Sequence, residues 1–470
     1  MKKRFVLFIL VLLFIVSCGV TSENKPDTQK SGDTTVPETE GPYSVLPNVR
    51  LDGREFTILY PTYIENVLHL VSEVQDGETI NDSVYTRNLE IEERYDIIIK
   101  KRSGNNDPSK DISKIVLSGD DLIDLAVVHP RLGVSTLLTE DLLYNWFDLE
   151  YIDFSKPCWN QDIQRSFLIG NKLCYAAGDL TIDWAGGLLM LFNKDMTIDL
   201  GLESPYKYVL NGTWTIDRLM EFIKGTWQDL NGDGKMDKND ICGYVNNECE
   251  YSFIHASGMK ITEPDADGRQ VLSIFGERLA TLADKMLSLL HGPDTFLPGY
   301  ADAMKMFSNN QALIALIAFV EWTQFRAIEF DFGIVPVPKL YENQENFYNM
   351  SGVGLLGVPK NVKDPENTSI IIQALMEGSY RYLRPAYIDV VLYNKCLRDE
   401  ESQKSVEIII NSTVYDFGYT FGVEDASKRM EQIITATVTN KKSLDLASYY
   451  EKNAEIAQAS YDKIYEYCTQ

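Results

Sequence analysis

Short apolar strands alternate with amphipathic helices in the first folded part of this chain, and this alternation constrains the fold more than any other feature. Residues 54–60 alternate polar and apolar side chains up to Pro61, as a half-buried strand does, and residues 84–95 repeat apolar or aromatic side chains at helical spacing. The sequence further predicts strands at 96–99 and 123–128 and a helix at 112–117. Strand, helix, strand, helix, strand is the order of a parallel sheet covered by helices, so the predicted fold class is α/β.

The same mixture of elements continues to the end of the chain. The sequence predicts helices at 216–227, 277–290, 368–383 and 446–467, and strands at 188–192, 312–319 and 353–358. At 470 residues the chain exceeds the size of one typical hydrophobic core, so two domains are expected.

The charge balance is strongly acidic. The chain has 69 acidic and 44 basic residues, which gives a formal net charge of −25. Such a surface repels a phosphate backbone, so nucleic acid is excluded as an expected partner.

The first eighteen residues have the pattern of a secretory leader. Three basic residues, Lys2, Lys3 and Arg4, precede an apolar run from Phe5 to Val16 that is too short to span a bilayer, which needs about 20 residues. The segment 15–18, Ile-Val-Ser-Cys, resembles a bacterial lipobox. We therefore predict a signal peptide at 1–17, cleavage before Cys18, and diacylation of Cys18, which would attach the protein to the extracytoplasmic face of the cell membrane.

A polar segment follows the predicted lipidation site. Residues 18–45 are rich in Thr, Ser, Glu, Asp, Asn, Lys and Pro and contain almost no large apolar residue before Tyr43. This composition cannot bury a core, so we predict a flexible tether.

An acidic loop at 229–240 has the spacing of a calcium-binding loop. Oxygen ligands stand at loop positions 1, 3, 5, 9 and 12, a glycine stands at position 6, and a backbone carbonyl would serve at position 7. The predicted ligands are Asp229, Asn231, Asp233, Lys235 through its carbonyl, Asp237 and Asp240. A helix precedes the loop and a strand at 241–245 follows it, so we expect a structural Ca²⁺ site. The alternative is a solvated turn without metal.

Cysteine usage leaves disulfides open. Six cysteines remain after Cys18, and Cys242 and Cys249 are close enough in sequence to close a small loop. We favour unpaired thiols.

Several motifs, in a shared order, resemble the bacterial extracellular solute-binding proteins of the maltose-binding-protein-like class, the receptors of ABC sugar importers. The segments that carry the resemblance are Leu191–Asp195 (LFNKD), Gly212–Thr215 (GTWT), Phe307–Leu313 (FSNNQAL), Asp331–Lys339 (DFGIVPVPK) and Val358–Lys360 (VPK). Together with weaker similarities they cover most of residues 50–420.

The resemblance implies a periplasmic-binding-protein-like fold of two α/β lobes joined by crossover segments near 178–188, 333–336 and 382–385. Residues 50–180 and 335–383 would form the first lobe, and residues 185–333 and 385–470 the second. The implied function is a monomeric, lipid-anchored receptor that captures a carbohydrate, in our interpretation an oligosaccharide, between the lobes. It would deliver this ligand to ABC permease subunits, and it would not be an enzyme.

Sugar sites pair aromatic rings with carboxylates and amides, since a sugar presents apolar C–H faces ringed by hydroxyls. The predicted ligand-binding residues are Trp184, Asp183 and Asp179 at the first crossover, Trp322 and Glu321 at the end of the 312–319 strand, and Trp159, which precedes the crossover and would line the rim. Core packing is the competing interpretation for each tryptophan.

Two other functions remain open. A surface glycoside hydrolase or lyase would need a pair of carboxylates, which a chain this acidic always offers, but no GxSxG, HExxH or P-loop motif is present. A carbohydrate-binding adhesin or sensor partner without a role in transport is the other alternative.

Overall fold

The computed structural model describes residues 43, 45–62, 70–246, 248–299, 302–325, 327–352, 354–389, 400–422 and 426–469. The leader, Cys18 and nearly all of the tether lie outside these residues, as does Cys396. Within the described part, no helix is long and apolar enough to cross a membrane.

The elements alternate between strand and helix along most of the chain. The strands are Arg54–Pro61 (β1), Ile97–Gly104 (β2), Leu125–Val128 (β3), Leu188–Asn193 (β4), Cys242–Asn246 (β5), Thr262–Pro264 (β6), Gln270–Leu272 (β7), Thr295–Phe296 (β8), Ala312–Ala318 (β9), Phe332–Val335 (β10), Asn349–Met350 (β11), Leu355–Gly357 (β12) and Thr413–Val414 (β13). The α-helices are Thr79–Tyr95 (α1), Ser109–Ser118 (α2), Val134–Thr139 (α3), Gln161–Ser166 (α4), Lys194–Asp199 (α5), Pro205–Leu210 (α6), Ile216–Ile223 (α7), Ser252–Ala256 (α8), Glu277–Leu290 (α9), Asp302–Ser308 (α10), Trp322–Phe325 (α11), Pro365–Gly378 (α12), Arg384–Ile388 (α13), Glu400–Asn411 (α14), Phe417–Thr420 (α15), Ala426–Glu431 (α16) and Leu446–Thr469 (α17).

The first sheet has the strand order β12-β3-β1-β2. Strands β1, β2 and β3 are parallel, and β12 joins the edge antiparallel to β3. Every residue of β3 is buried, because helices cover a parallel sheet on both faces. The predicted βαβαβ unit is confirmed.

The second sheet has the order β10-β4-β9-β5-β8. Its central strand β9 is apolar throughout (Ala-Leu-Ile-Ala-Leu-Ile-Ala) and buried at six of its seven positions. It pairs antiparallel with β4 and parallel with β5, so the sheet is mixed. This central place explains why residues 312–319 are so strongly apolar.

The two sheets take their strands from different predicted lobes. The first sheet takes its strands from within 50–180 and 335–383, and the second takes its strands from within 185–333, except that β10 ends at Val335. The exact lobe boundaries stay a prediction.

Two predicted helices end earlier than expected. The 216–227 helix stops at Ile223, because Gly225 adopts a left-handed conformation (φ 77°) and its N–H donates to the Asp294 carboxylate at 3.0 Å. The 368–383 helix is regular only to Gly378 and continues as a π-helical turn over Ser379–Leu383 before α13 begins. Such turns are frequent at functional sites.

Four cysteines of the described residues, Cys158, Cys174, Cys242 and Cys468, carry free thiols. The expectation of unpaired cysteines is confirmed for these four, and Cys242 forms no disulfide with Cys249.

Candidate functional site

A cavity of about 560 Å³ lies where segments from both predicted lobes meet. Its wall is formed by residues 157–165 and 178–184, by Arg384 at the start of α13, and by residues 410–414. Four of the six predicted ligand-binding residues line it, namely Trp159, Asp179, Asp183 and Trp184. The other two, Trp322 and Glu321, do not.

The backbone at Gly178 and Asp179 packs closely against the backbone at Cys158, and this contact positions the acidic side of the cavity, which Asp179 and Asp183 form. The Asp179 N–H donates to the carbonyl of Cys158 at 3.0 Å, and a side chain at Gly178 would meet that same carbonyl oxygen at 2.1 Å. Only glycine permits this contact. Three residues on, buried Ile182 has a left-handed backbone (φ 46°), which is a strained conformation for a β-branched residue. This turn directs Asp179 and Asp183 to the same cavity.

Asp179 is a buried carboxyl group with one cationic partner. Its Oδ1 accepts a hydrogen bond from Arg384 Nη1 at 3.2 Å, whereas its Oδ2 has no hydrogen-bond partner. The pKa of Asp179 is raised to about 7, mainly by burial; Arg384 acts against this increase, and the nearby charge of Asp183 adds to it. The Trp184 indole lowers this pKa slightly, although its Nε1 has no hydrogen bond of normal geometry.

Asp183 is also buried and is held by neutral donors. Its Oδ2 accepts from Asn160 Nδ2 at 2.8 Å and from the Tyr415 hydroxyl at 3.4 Å. Burial raises the pKa of Asp183, and these hydrogen bonds act against that increase. Asn160 also caps α4 by accepting from two backbone N–H groups, so one side chain fixes both the helix and the carboxylate.

A third carboxylate of the wall, Asp162, is paired with two cations. Asp162 forms ion pairs with Lys260 at 2.9 Å and with Arg165 at 2.7 Å, and it accepts the Tyr415 backbone N–H at 2.7 Å. Burial alone would raise the pKa of Asp162, but Lys260 and the hydrogen bonds lower it overall. Asp162 therefore stays ionised.

No protein-family profile matches the sequence, and no curated protein matches it. Solved structures match over nearly the whole chain. The galacto-N-biose/lacto-N-biose I-binding protein of an ABC transporter from Bifidobacterium longum, in complex with lacto-N-biose, is 16% identical, with 88% of this chain and 98% of that chain covered and a TM-score of 0.59. An ABC substrate-binding protein from Listeria monocytogenes in complex with cycloalternan is 13% identical, with 88% and 99% covered and a TM-score of 0.52.

A third match is UgpB from Mycobacterium tuberculosis in complex with glycerophosphocholine, which is 11% identical, with 87% and 98% of the two chains covered and a TM-score of 0.53. The chain has the fold of ABC-transporter solute-binding proteins. This confirms the predicted two-lobed, periplasmic-binding-protein-like α/β architecture.

The tryptophans are more deeply buried in this solute-binding fold than open sugar platforms would be. Trp184 is 2% exposed, with its ring centroid 5.4 Å from that of Phe319 and 6.2 Å from that of Tyr387. Trp322 is 8% exposed and contacts the other side of the same aromatic cluster, 6.0 Å from Tyr387. The two rings therefore belong to one cluster, of which only Trp184 reaches the cavity.

Trp159 and Glu321 also have structural partners. Trp159 is 3% exposed, and its Nε1 donates to Gln373 Oε1 at 3.0 Å. Glu321 is partly exposed and accepts a long hydrogen bond from Gln324 at 3.5 Å. Direct ligand contact by any of the six predicted residues stays a prediction.

Sequence reasoning missed Arg384, Asn160 and the 410–414 segment as wall residues. Arg384 could have been found, because it lies inside the 382–385 crossover expected of a solute-binding fold, and crossovers border the ligand cleft. Asn160 and residues 410–414 are placed only by tertiary packing, so no local pattern marks them.

The 229–240 loop is closed by its own acidic side chains. Asp229 accepts the backbone N–H groups of Gly232 at 2.6 Å and Gly234 at 2.8 Å. Asp240 is fully buried, and its two oxygens accept the N–H groups of Leu230 and Asp237, each at 3.0 Å. No group of three or more His, Cys, Asp or Glu in the described part of the chain is arranged to hold a metal ion. Calcium binding by this loop therefore stays a prediction. To bind the ion, the carboxylates that now accept backbone N–H groups would have to turn toward one common point.

If the loop binds calcium only in the folded protein, calcium at a hundred times its Kd should raise the free energy of unfolding by about 2.7 kcal/mol. We expect Asp229→Ala or Asp233→Ala to abolish this increase in a thermal melt with and without a chelator. Asp265→Ala is the matched control, because Asp265 accepts backbone N–H groups in the same way in a different exposed turn. A wild-type melting curve that calcium does not change would contradict the site.

Proposed function

We propose that this protein is a solute-binding receptor that captures a carbohydrate in the cavity around Asp179 and delivers it to an ABC importer. The observation that carries the proposal is the cavity itself. It lies among segments of both predicted lobes, at the first and third predicted crossovers, in a chain with the solute-binding fold. Hinge closure between lobes is the usual way in which such folds enclose a ligand.

The chemistry of the wall supports a polyhydroxyl ligand. Carboxylates, two arginines and amides supply hydrogen-bond acceptors and donors beside two tryptophans, which suits a molecule with both hydroxyls and C–H faces. Two of the structural neighbours above were solved with an oligosaccharide or disaccharide, and a third with a phosphodiester. Carbohydrate is the class that the wall and most of these neighbours favour.

A binding screen tests the proposal. Purified protein would be incubated with lacto-N-biose, maltotriose, mannotriose, digalacturonate and glycerophosphocholine in equal amounts, and the retained compound identified by native mass spectrometry. Retention of one sugar, intact after overnight incubation, supports a receptor. Retention of no sugar would refute carbohydrate capture by this cavity.

The enzyme alternative is favoured by one feature, the raised pKa of Asp179, since a protonated carboxyl group near neutral pH suits a general acid. The same incubation separates the two functions. An enzyme would release shorter products with time, whereas a receptor returns the sugar unchanged.

Attachment to the membrane through Cys18 is part of the proposal. Stable attachment should depend on acylation of that thiol, because no helix in the described part of the chain could cross a membrane. We expect Cys18→Ala to shift the protein from the membrane fraction to the soluble or uncleaved fraction, measured by detergent phase partitioning, whereas Cys158→Ala should not. A Cys18→Ala variant that still carries lipid would disprove the anchor.

A further inference from the structure

We infer that Asp179 Oδ2 is the hydrogen-bond acceptor by which the cavity selects its ligand, and that the cavity favours neutral, hydroxyl-rich molecules over anions. This inference rests on the proposed function and assigns the chemistry of the same site.

The free oxygen is held rigidly. Arg384 fixes the other oxygen of the carboxylate, and the Asp179 backbone N–H is fixed by the Cys158 carbonyl. The guanidinium of Arg384 itself lies 5.6 Å from the centroid of the Tyr380 ring. The Trp184 indole is near enough to lower the pKa of Asp179, but its Nε1 and Asp179 Oδ2 form no hydrogen bond of normal geometry. A buried acceptor without a well-aligned donor costs free energy, so an O–H or N–H group of a bound molecule would find an unmet hydrogen bond there.

The charges next to Asp179 do not favour an anion. Arg384 is the one arginine beside it and is paired with Asp179, whereas Arg165 and Lys260 both pair with Asp162. Asp183, next to Asp179, has no ion pair among the described residues and is held by neutral donors, so no unpaired cation faces a ligand at this place. An anionic oxygen next to Asp179 and Asp183 would be repelled, whereas a neutral hydroxyl can donate.

Arg384 acts as a positioning residue. It lowers the pKa of Asp179 against the effects of burial and of Asp183, and it thereby favours the ionised, acceptor form of the carboxyl group. The charged or titratable groups facing Asp179 are Arg384 from α13, Asp183 from the following turn, and the Cys158 thiol, whose pKa is raised by burial and by Asp179. Removing the guanidinium should therefore move ligand binding to higher pH.

The test uses the sugar retained in the screen above and measures its affinity by calorimetry. Asp179→Ala should weaken binding by about 10- to 100-fold, the usual cost of a hydrogen bond to a charged group. Asp179→Asn is the second variant, which keeps the side-chain volume if the alanine protein unfolds. The matched control is Asp124→Asn, a buried aspartate paired with Arg54 at 2.5 Å outside the cavity, which should leave affinity unchanged.

The outcomes separate the two claims. A retained neutral sugar, a loss confined to the Asp179 variants, and an Arg384→Gln affinity-against-pH profile displaced to higher pH would support the inference. Retention of digalacturonate or glycerophosphocholine, or affinity of both Asp179 variants within twofold of wild type, would overturn it while leaving ligand capture intact. Retention of nothing would overturn the proposed function and this inference together.

Discussion

Trp184→Ala should lower the free energy of unfolding by about 3–5 kcal/mol, the usual cost of truncating a buried aromatic side chain. The ring is 2% exposed and packs against Phe319 and Tyr387, so its removal leaves a hole in an aromatic cluster. Because the same ring reaches the cavity wall, we also expect ligand affinity to fall by about 2 kcal/mol, or about thirtyfold. Denaturant unfolding and calorimetry on the folded fraction measure the two effects separately.

Two further tryptophan variants distinguish packing from ligand contact. Trp214 is fully buried, donates to the Pro336 carbonyl at 2.9 Å and lies outside the cavity wall, so Trp214→Ala should destabilise the fold without changing affinity. Trp322→Ala should resemble Trp214→Ala if Trp322 only supports Tyr387. If Trp184→Ala also leaves affinity unchanged, the ring is a packing residue and its assignment to the ligand site is wrong.

The sequence was informative wherever a local rule decides the structure. Helix α9 begins and ends where its apolar spacing predicted, at Glu277 and Leu290, and β9 was found through its apolar composition. Four of the six residues chosen as candidates for ligand binding line one cavity. These successes rest on periodicity and on the order of short motifs.

Exposure and partners could not be predicted in the same way. Whether Trp184 is open or enclosed depends on Tyr387, which is about 200 residues away in sequence. The pairing of Asp179 with Arg384 likewise joins two distant segments through the π-helical turn after α12. Tertiary packing decides such contacts, and a single sequence carries no local signal for them.

The contribution of Asp179 to the stability of the protein should fall as the pH rises from about 4 to about 7. In the unfolded chain its carboxyl group has an ordinary pKa near 3.8, whereas burial in the fold raises that pKa to about 7. Between these values the folded state binds more protons than the unfolded state, so the free energy of unfolding decreases with increasing pH. The full effect is on the order of 4 kcal/mol.

Asp179→Asn removes the titrating group, and the unfolding free energy of this variant should therefore depend much less on pH over this interval.

Asp162→Asn is the contrasting variant. The pKa of Asp162 is lowered in the fold, so this carboxylate stabilises the protein above pH 3.8 and that contribution is lost only in stronger acid. Urea unfolding at several pH values between 3 and 8 would measure both variants against the wild type. Parallel curves for wild type and Asp179→Asn between pH 4 and 7 would show that Asp179 is already ionised in the folded protein. In that case ligand affinity should also stay constant between pH 4 and 7. The Asp179 carboxylate that accepts the ligand hydroxyl would not change its charge over this range.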